Sequence, residues 1–322
     1  MPSAPRIATV DLDGTPTCVV VADRKMAPLV ELLPGAPRDV TGLIAAWPKW
    51  RSSVIEAAHP SATQSARGGW LDVADAIWLP PLVPGKVLCV GSNYHDHVQE
   101  MAGPAGLDIR PAPFPFSFLK PSTALVGSGH SVSLPSYGVQ LDWEAELAVI
   151  IGDASQAAGA DPLAAVFGYT ILNDLSLRDF VPFPHTLGLD AVVSKGFDGA
   201  APIGPWITLA ADVPDPQGLA IQLAINGELQ QDGSTASMIF GVADMIRHYA
   251  RVLTLEPGDV IATGTPAGVG AARTPPRWLN AGDFIEIRIG NLGVLETTIT
   301  ARRTGATVDL LSPAPDAQAG AR

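Results

Sequence analysis

"LDWEAELAVIIGD", residues 141–153, is the stretch on which the fold of this chain turns. The run is apolar and ends at Gly152, which reads as a buried strand, yet Glu144 and Glu146 sit inside it. Side chains alternate across a strand, so the two carboxylates share one face while Trp143, Ala145, Leu147 and Val149 take the other. A solvated face would tolerate the pair without help. The continuation "LAVIIG" is too apolar for an open edge, however, and a second apolar run, "FGYTILND", ends in another acid, Asp174. Three carboxylates on neighbouring strand ends repel one another unless a cation neutralises them. A hard divalent ion does this: Mg²⁺ takes carboxylate oxygens at about 2.1 Å and keeps waters for a substrate to displace. Mn²⁺ and Ca²⁺ remain open as alternatives. Zinc or copper is a poorer match, because no His stands beside these strands and Cys18 and Cys89 are the only cysteines.

Outward from that strand, the 32 Gly and 30 Pro fall between short apolar runs and form no repeat, a pattern of many short strands and ordered turns. "RIATVDL" and "CVVVAD" flank "DGTPT" as a hairpin, "APLVELL" follows as a strand or short helix, and a helix covers Thr41 to about Ala58. These make a small N-terminal α+β unit, 1–80, closed by the Pro-rich bridge "WLPPLVPGK". The main unit, 81–310, reads as mostly β, so the fold class is α+β. Its helical pattern is confined to 94–102 and "MIFGVADMIRHYARVL", where Ile239, Val242, Ile246 and Tyr249 are spaced by three and four. The end of the chain, 311–322, is small and polar and reads as a frayed tail.

The bulk numbers set the partner class. Lys plus Arg total 20 against 32 Asp plus Glu, a formal charge of −12, which offers no basic footprint for nucleic acid or an anionic membrane. A small-molecule partner is expected. Two cysteines build neither a disulfide framework nor a thiolate cluster, and no apolar run approaches the roughly 20 residues of a membrane span. The N-terminus has no secretory pattern. The expectation is a soluble, cytoplasmic protein.

Three further places carry chemistry. In "GSNYHDHVQEM" a helix starting near Tyr94 puts His97 and Glu100 three apart on one face, the pairing a general base needs, although surface helices also carry such pairs by chance. His95 falls on another face and reads as structural. Lys195, in "VVSKGFDG", is either a semi-buried ammonium able to meet an enolate or carboxylate oxygen or a surface Lys before a turn. The glycines of "ATGTPAGVG" force an irregular loop that would offer backbone amides and the Thr265 hydroxyl to a ligand. That loop has neither the P-loop spacing nor the dinucleotide fingerprint.

The blocks "VGSNYHDHVQEM", "FLKPSTALVG", "DWEAELAVIIG", "GYTILNDLSLRD", "SKGFDGAAPIGPW", "NGELQQDGSTASMIF" and "LEPGDVIATGTPAGVG" stand in the order and approximate spacing of the fumarylacetoacetate hydrolase family. The resemblance covers about 88–300. It implies a mixed β fold with a partly closed sheet around the site, usually as a homodimer, and metal ligands at Glu144, Glu146 and Asp174. It also implies a catalytic His97–Glu100 pair, Lys195 as its lysine, and Arg178 near the substrate. The activity implied is metal-dependent hydrolysis of a carbon–carbon bond in an acylpyruvate or similar 2-oxo acid, a reaction of aromatic-compound breakdown. Water activated by His97 would attack the distal carbonyl, leaving an enolate whose charge falls on the metal and Lys195. Tautomerisation of a hydroxydienoate, or decarboxylation, could use the same enolate. Many members place a Gln after "RD", where this chain has Phe180 and Val181, and the following "VPFPHTLGLDAVV" is apolar. A greasy acyl pocket built from Phe180, Val181, Phe183 and Leu187 is therefore expected.

Two rival readings remain. A member of the fold that binds ligand without catalysis is one, opposed by the full set of site residues. The other is a haloacid-dehalogenase-type phosphatase, suggested by D-x-D-G-T at Asp11–Thr15. That motif would need a crossover in a parallel sheet, whereas "CVVVAD" reads as a returning strand with Asp13 and Gly14 in the turn.

Overall fold

The computed structural model describes residues 5–58, 69–102, 113–181 and 190–302. At its centre, the Ala145–Ile151 strand is buried along its whole length. It pairs antiparallel with Val166–Asn173 on one side and with Val260–Ala262 on the other. Beyond the first neighbour the sheet continues through Ala201–Leu209, Arg6–Leu12, Thr15–Ala22, Lys25–Pro28 and Leu71–Asp72; beyond the second come Val87–Gly91 and Phe116–Lys120. A second, five-stranded sheet has the order Glu228–Ser234, Ala220–Ile225, Phe284–Ile289, Val294–Thr300, Ser131–Ser133. The molecule is α+β and mostly β, as expected.

The alternation read from the sequence holds, but neither face of the central strand meets solvent. Leu147, Val149 and Ile151 join a core with Ile221, Leu223, Ile285 and Ile287 of the second sheet and with Ile246 and Tyr249 of the Val242–Val252 helix. Ala148 and Ile150, on the face of Glu146, belong to a different core with Val87, Cys89, Ala262, Ile203, Val20, Leu43 and Val54. Each large aliphatic buried there contributes roughly 1.5–3 kcal/mol. A strand covered on both sides must be apolar almost throughout, which is why Glu146 within it is informative; Glu144 lies just ahead of it, in the break at 143–144 between Leu141–Asp142 and Ala145–Ile151.

The leading hairpin closes in a two-residue turn. Leu12 faces Thr15, Asp13 and Gly14 have φ of 53° and 79°, and the Gly14 N–H donates to Asp11 Oδ1 at 2.7 Å. The chain returns antiparallel at once, so Asp11 caps a turn that Asp13 and Gly14 make, and the crossover of a phosphatase is not formed. Lys25–Pro28 is a strand and Leu29–Leu32 a short helix. The helix expected after Thr41 is two, Val40–Ala45 and Trp47–Ala57, the first capped by Asp39 accepting from the Gly42 N–H. The bridge at 79–86 marks a change in composition but no break in the sheet: Arg6 pairs with Thr208 and Ile7 with Ile207. Helix His95–Ala102 forms as read. Ile239 differs, lying ahead of its helix with its N–H donating to Asn93 O, because Gly241 starts the helix. The tail at 311–322 lies outside the described residues.

Candidate metal centre

Glu144, Glu146 and Asp174 converge. All three are buried, and one carboxylate oxygen from each lies within 4.8 Å of the others. The strand register brings them together: Ala145 pairs with Asn173, so Glu144 and Asp174 flank one rung, and the Asp174 N–H donates to Glu144 O at 2.9 Å. Asn173 Oδ1 accepts from the Glu144 N–H at 3.1 Å, tying the same two segments again.

Basic groups thread between the acids. Lys195 Nζ is 2.9 Å from Glu144 Oε2 and 2.7 Å from Asp174 Oδ2. Lys120 Nζ is 2.7 Å from Asp174 Oδ1, and it donates to the carbonyls of Ala200 and of Lys195 itself. Arg178 reaches Glu144 Oε1 at 2.6 Å through one terminal nitrogen and Asp142 Oδ2 at 2.8 Å through Nε. Three carboxylates are thus matched by three cations. Glu146 is the fourth acid of the cluster, and among the described residues no ion pair reaches it; its Oε2 accepts from the Gly264 N–H at 2.9 Å.

That imbalance sets the charge states. Burial, then the Asp174 and Glu144 charges, push the Glu146 pKa well above its ordinary value. Burial would raise Glu144 too, but Lys195, Arg178 and His97 outweigh it and hold that carboxyl well below the usual range. Burial works against the Lys195 ammonium, yet Asp174 and Glu144 raise its pKa. A divalent ion would ionise Glu146 and leave the cluster with one net positive charge, suited to an anionic substrate. Three buried hard oxygen donors with one uncompensated acid fit Mg²⁺ or Mn²⁺.

The His97–Glu100 pair forms on the His95–Ala102 helix, with His97 Nδ1 2.7 Å from Glu100 Oε1. His97 is buried and near enough to lower Glu144, whereas His95 is exposed. The loop after Val260–Ala262 holds both halves of the site. Gly264 N–H donates to Glu146, Gly268 N–H to Glu100 Oε2 at 2.8 Å, and Gly270 and Ala271 N–H to Asp142 at 2.7 and 3.0 Å. Gly268 has φ of 107°, and a Cβ there would lie 2.3 Å from Gln230 O, so the loop's path requires glycine.

Two expected substrate contacts look different in three dimensions. The Thr265 hydroxyl donates to Ala145 O at 2.9 Å and accepts from Gln231 Nε2 at 2.8 Å, which leaves it no proton for a ligand. Arg178 braces Glu144 and is itself braced by Asp142. Of the expected acyl pocket, Phe180 is buried in the first core with its ring 5.8 Å from that of Tyr137, and Phe183 and Leu187 lie outside the described residues. Sequence reasoning missed Lys120 and Asp142. Lys120 stands in the apolar "FSFLK" strand and Asp142 directly precedes "WE", and a charge inside an apolar run was the signal in both cases. A cavity of about 950 Å³ lined by Trp47, Leu163, Val166 and Phe167 includes none of the site residues.

The fold and the buried acidic triad, which could hold a divalent metal, are those of an enzyme family. The model of the fumarylacetoacetate (FAA) hydrolase C-terminal family matches residues 86–300, and the chain belongs to that family. Oxaloacetate tautomerase YisK of Bacillus subtilis is 38% identical over 219 residues, covering 67% of this chain and 70% of that protein. Among solved structures, a probable 2-hydroxyhepta-2,4-diene-1,7-dioate isomerase from Mycobacterium abscessus is similar with a TM-score of 0.72 and 28% identity, covering 94% of this chain and 100% of that one. Maleylpyruvate hydrolase from Sphingobium sp. SYK-6, in complex with manganese(II) ion and pyruvate, is similar with a TM-score of 0.70 and 29% identity, covering 92% and 100%.

Proposed function

We propose that this chain is a metal-dependent tautomerase of a small 2-oxo acid, interconverting keto and enol forms. The observation that carries the reading is the unmatched Glu146 in a buried triad beside a hydrogen-bonded His–Glu pair. The similarity to an oxaloacetate tautomerase and to a dienoate isomerase supports it over the hydrolysis expected from sequence.

A divalent cation held by Glu144, Glu146 and Asp174 would supply the electrophile that acidifies the hydrogen next to the 2-oxo group. His97 is the base for that hydrogen, and Glu100, bonded to Nδ1, fixes the tautomer that leaves Nε2 free to accept it. Glu100 also stabilises the imidazolium once the proton has moved. Gly268 N–H locks the second Glu100 oxygen, so the pair cannot rotate away. The Lys195 ammonium is the donor for the oxygen that gains charge, and Arg178, fixed by Asp142, keeps Glu144 oriented. Return of the proton from His97 to oxygen or carbon completes either direction.

Hydrolysis is the second reading, supported by the similarity to maleylpyruvate hydrolase. The same His97–Glu100 pair could deprotonate water instead of carbon. One experiment separates the two: proton NMR in D₂O of oxaloacetate and of an acylpyruvate, with Mg²⁺ or Mn²⁺ and again with chelator. Metal-dependent acceleration of enol–keto conversion without new carboxylic acids supports the tautomerase; pyruvate and a second acid in stoichiometric amounts support the hydrolase. Equal conversion with chelator refutes both.

A further inference from the structure

Lys195 stands between two of the three residues that would hold the cation. Its Nζ bridges Glu144 Oε2 and Asp174 Oδ2, while Arg178 takes Glu144 Oε1 and Lys120 takes Asp174 Oδ1. Every oxygen of two of the three ligands therefore already has a basic partner. A cation bonded to Oε2 or Oδ2 at about 2.1 Å would lie no farther than about 5 Å from the Lys195 ammonium, given contacts of 2.9 and 2.7 Å. Screening is weak in a buried site, so two cations at that separation repel strongly.

Of the three basic groups, Lys195 is the one free to yield. Arg178 is tied through Nε to Asp142, which itself accepts from the Trp143, Gly270 and Ala271 N–H groups. Lys120 has a fully buried side chain pinned to two backbone carbonyls. Lys195 Nζ hydrogen-bonds, among the described residues, to the two carboxylates alone, with the Phe118 ring 5.3 Å away. It stands at the end of a five-residue helix, Ala191–Lys195, whose last carbonyl Lys120 holds. The side chain can swing while its backbone stays in place.

We propose that Lys195 and the divalent cation compete for Glu144 and Asp174, so that metal entry displaces the ammonium and presents it to the substrate's oxygen. The inference rests on the metal-centre reading and adds an order to it: metal first, substrate second. Without metal, Lys195 neutralises two ligand carboxylates and keeps the buried acids tolerable. With metal, the same charge becomes available for the developing oxyanion.

The test is Mn²⁺ binding, read from the loss of the free-ion EPR signal at fixed pH and ionic strength, for the wild type, Lys195→Met, Lys195→Arg and Glu146→Gln. Lys195→Met is expected to bind Mn²⁺ at least about tenfold more tightly than the wild type, because no ammonium need be expelled, and Lys195→Arg to return towards wild-type affinity. Unchanged or weaker binding by Lys195→Met would overturn the competition while leaving the centre intact. Absence of wild-type binding, or equal binding by Glu146→Gln, would overturn the centre itself. A second measurement needs no variant: reductive methylation of the wild type, followed by mass spectrometry, should show Lys195 more reactive with Mn²⁺ than with chelator. Equal or lower reactivity contradicts displacement.

Discussion

Replacing Glu146 with Gln should leave the metal-free protein almost as stable as the wild type and yet abolish its response to metal. Glu146 has no ion pair among the described residues, and burial followed by the Asp174 and Glu144 charges raises its pKa well above 4.5. That shift favours the neutral acid in chelator, which Gln matches in shape while still offering an oxygen to the Gly264 N–H. The change in unfolding free energy should stay within about 1 kcal/mol. Loss of one anionic ligand should weaken Mn²⁺ binding on the order of 100-fold, or about 2.7 kcal/mol. At a Mn²⁺ concentration 100 times the wild-type Kd, linkage stabilises the wild type by about 2.7 kcal/mol and the variant by about 0.4 kcal/mol. For a chain of this length those values correspond to shifts in Tm of about 4 °C and below about 1 °C. Thermal unfolding followed by circular dichroism, with Mn²⁺ and with chelator, reads both. A loss above about 3 kcal/mol in chelator would mean that Glu146 is ionised and paired. A full metal shift in the variant would remove it from the ligand set.

Glu144 should behave in the opposite way. Glu144→Gln leaves Lys195 and Arg178 facing a neutral amide, at a cost of about 3–5 kcal/mol in chelator, and a loss under about 1 kcal/mol would count against the pairing. Its carboxyl is held low, so the stability it contributes is present above its ordinary pKa of 4.5 and lost as the pH falls below that; wild-type and Glu144→Gln stability curves should converge in acid. Glu146 has the reverse sign. Its contribution is complete below pH 4.5 and is lost as the pH rises through its elevated folded pKa. Metal binding must then expel a proton, so the logarithm of Mn²⁺ affinity should climb by up to about one per pH unit. Calorimetry in two buffers of different ionisation heat measures the proton, and its absence would refute the charge state. His97→Ala should lower turnover by about two to four decades with Mn²⁺ affinity nearly unchanged, and an equal loss of Mn²⁺ binding would contradict its role as base.

Alternation sufficed to mark Glu146 on its strand, with Glu144 two positions earlier just ahead of the strand's start, and three-residue spacing on a helix sufficed for His97 and Glu100, because both are local geometry. The turn at Asp13 and Gly14 was legible for the same reason. What the residue string concealed was long-range. Nothing in "FSFLK" says that Lys120 will meet an acid 54 positions away, and the role of Asp142 depends on Arg178 and on a loop near 270. Thr265 shows the converse: its loop suggested a ligand contact, but a strand carbonyl 120 positions earlier takes its proton. The continuous sheet between the leading hairpin and Ala201–Leu209 was likewise hidden behind a Pro-rich bridge whose composition resembles a linker.

Anomalous diffraction from crystals soaked in Mn²⁺, recorded at the manganese edge, locates the cation itself. A single strong peak bonded to oxygens of Glu144, Glu146 and Asp174 at about 2.1–2.2 Å is expected. A peak held by other residues, or none at a Mn²⁺ concentration that supports activity, would contradict the metal centre.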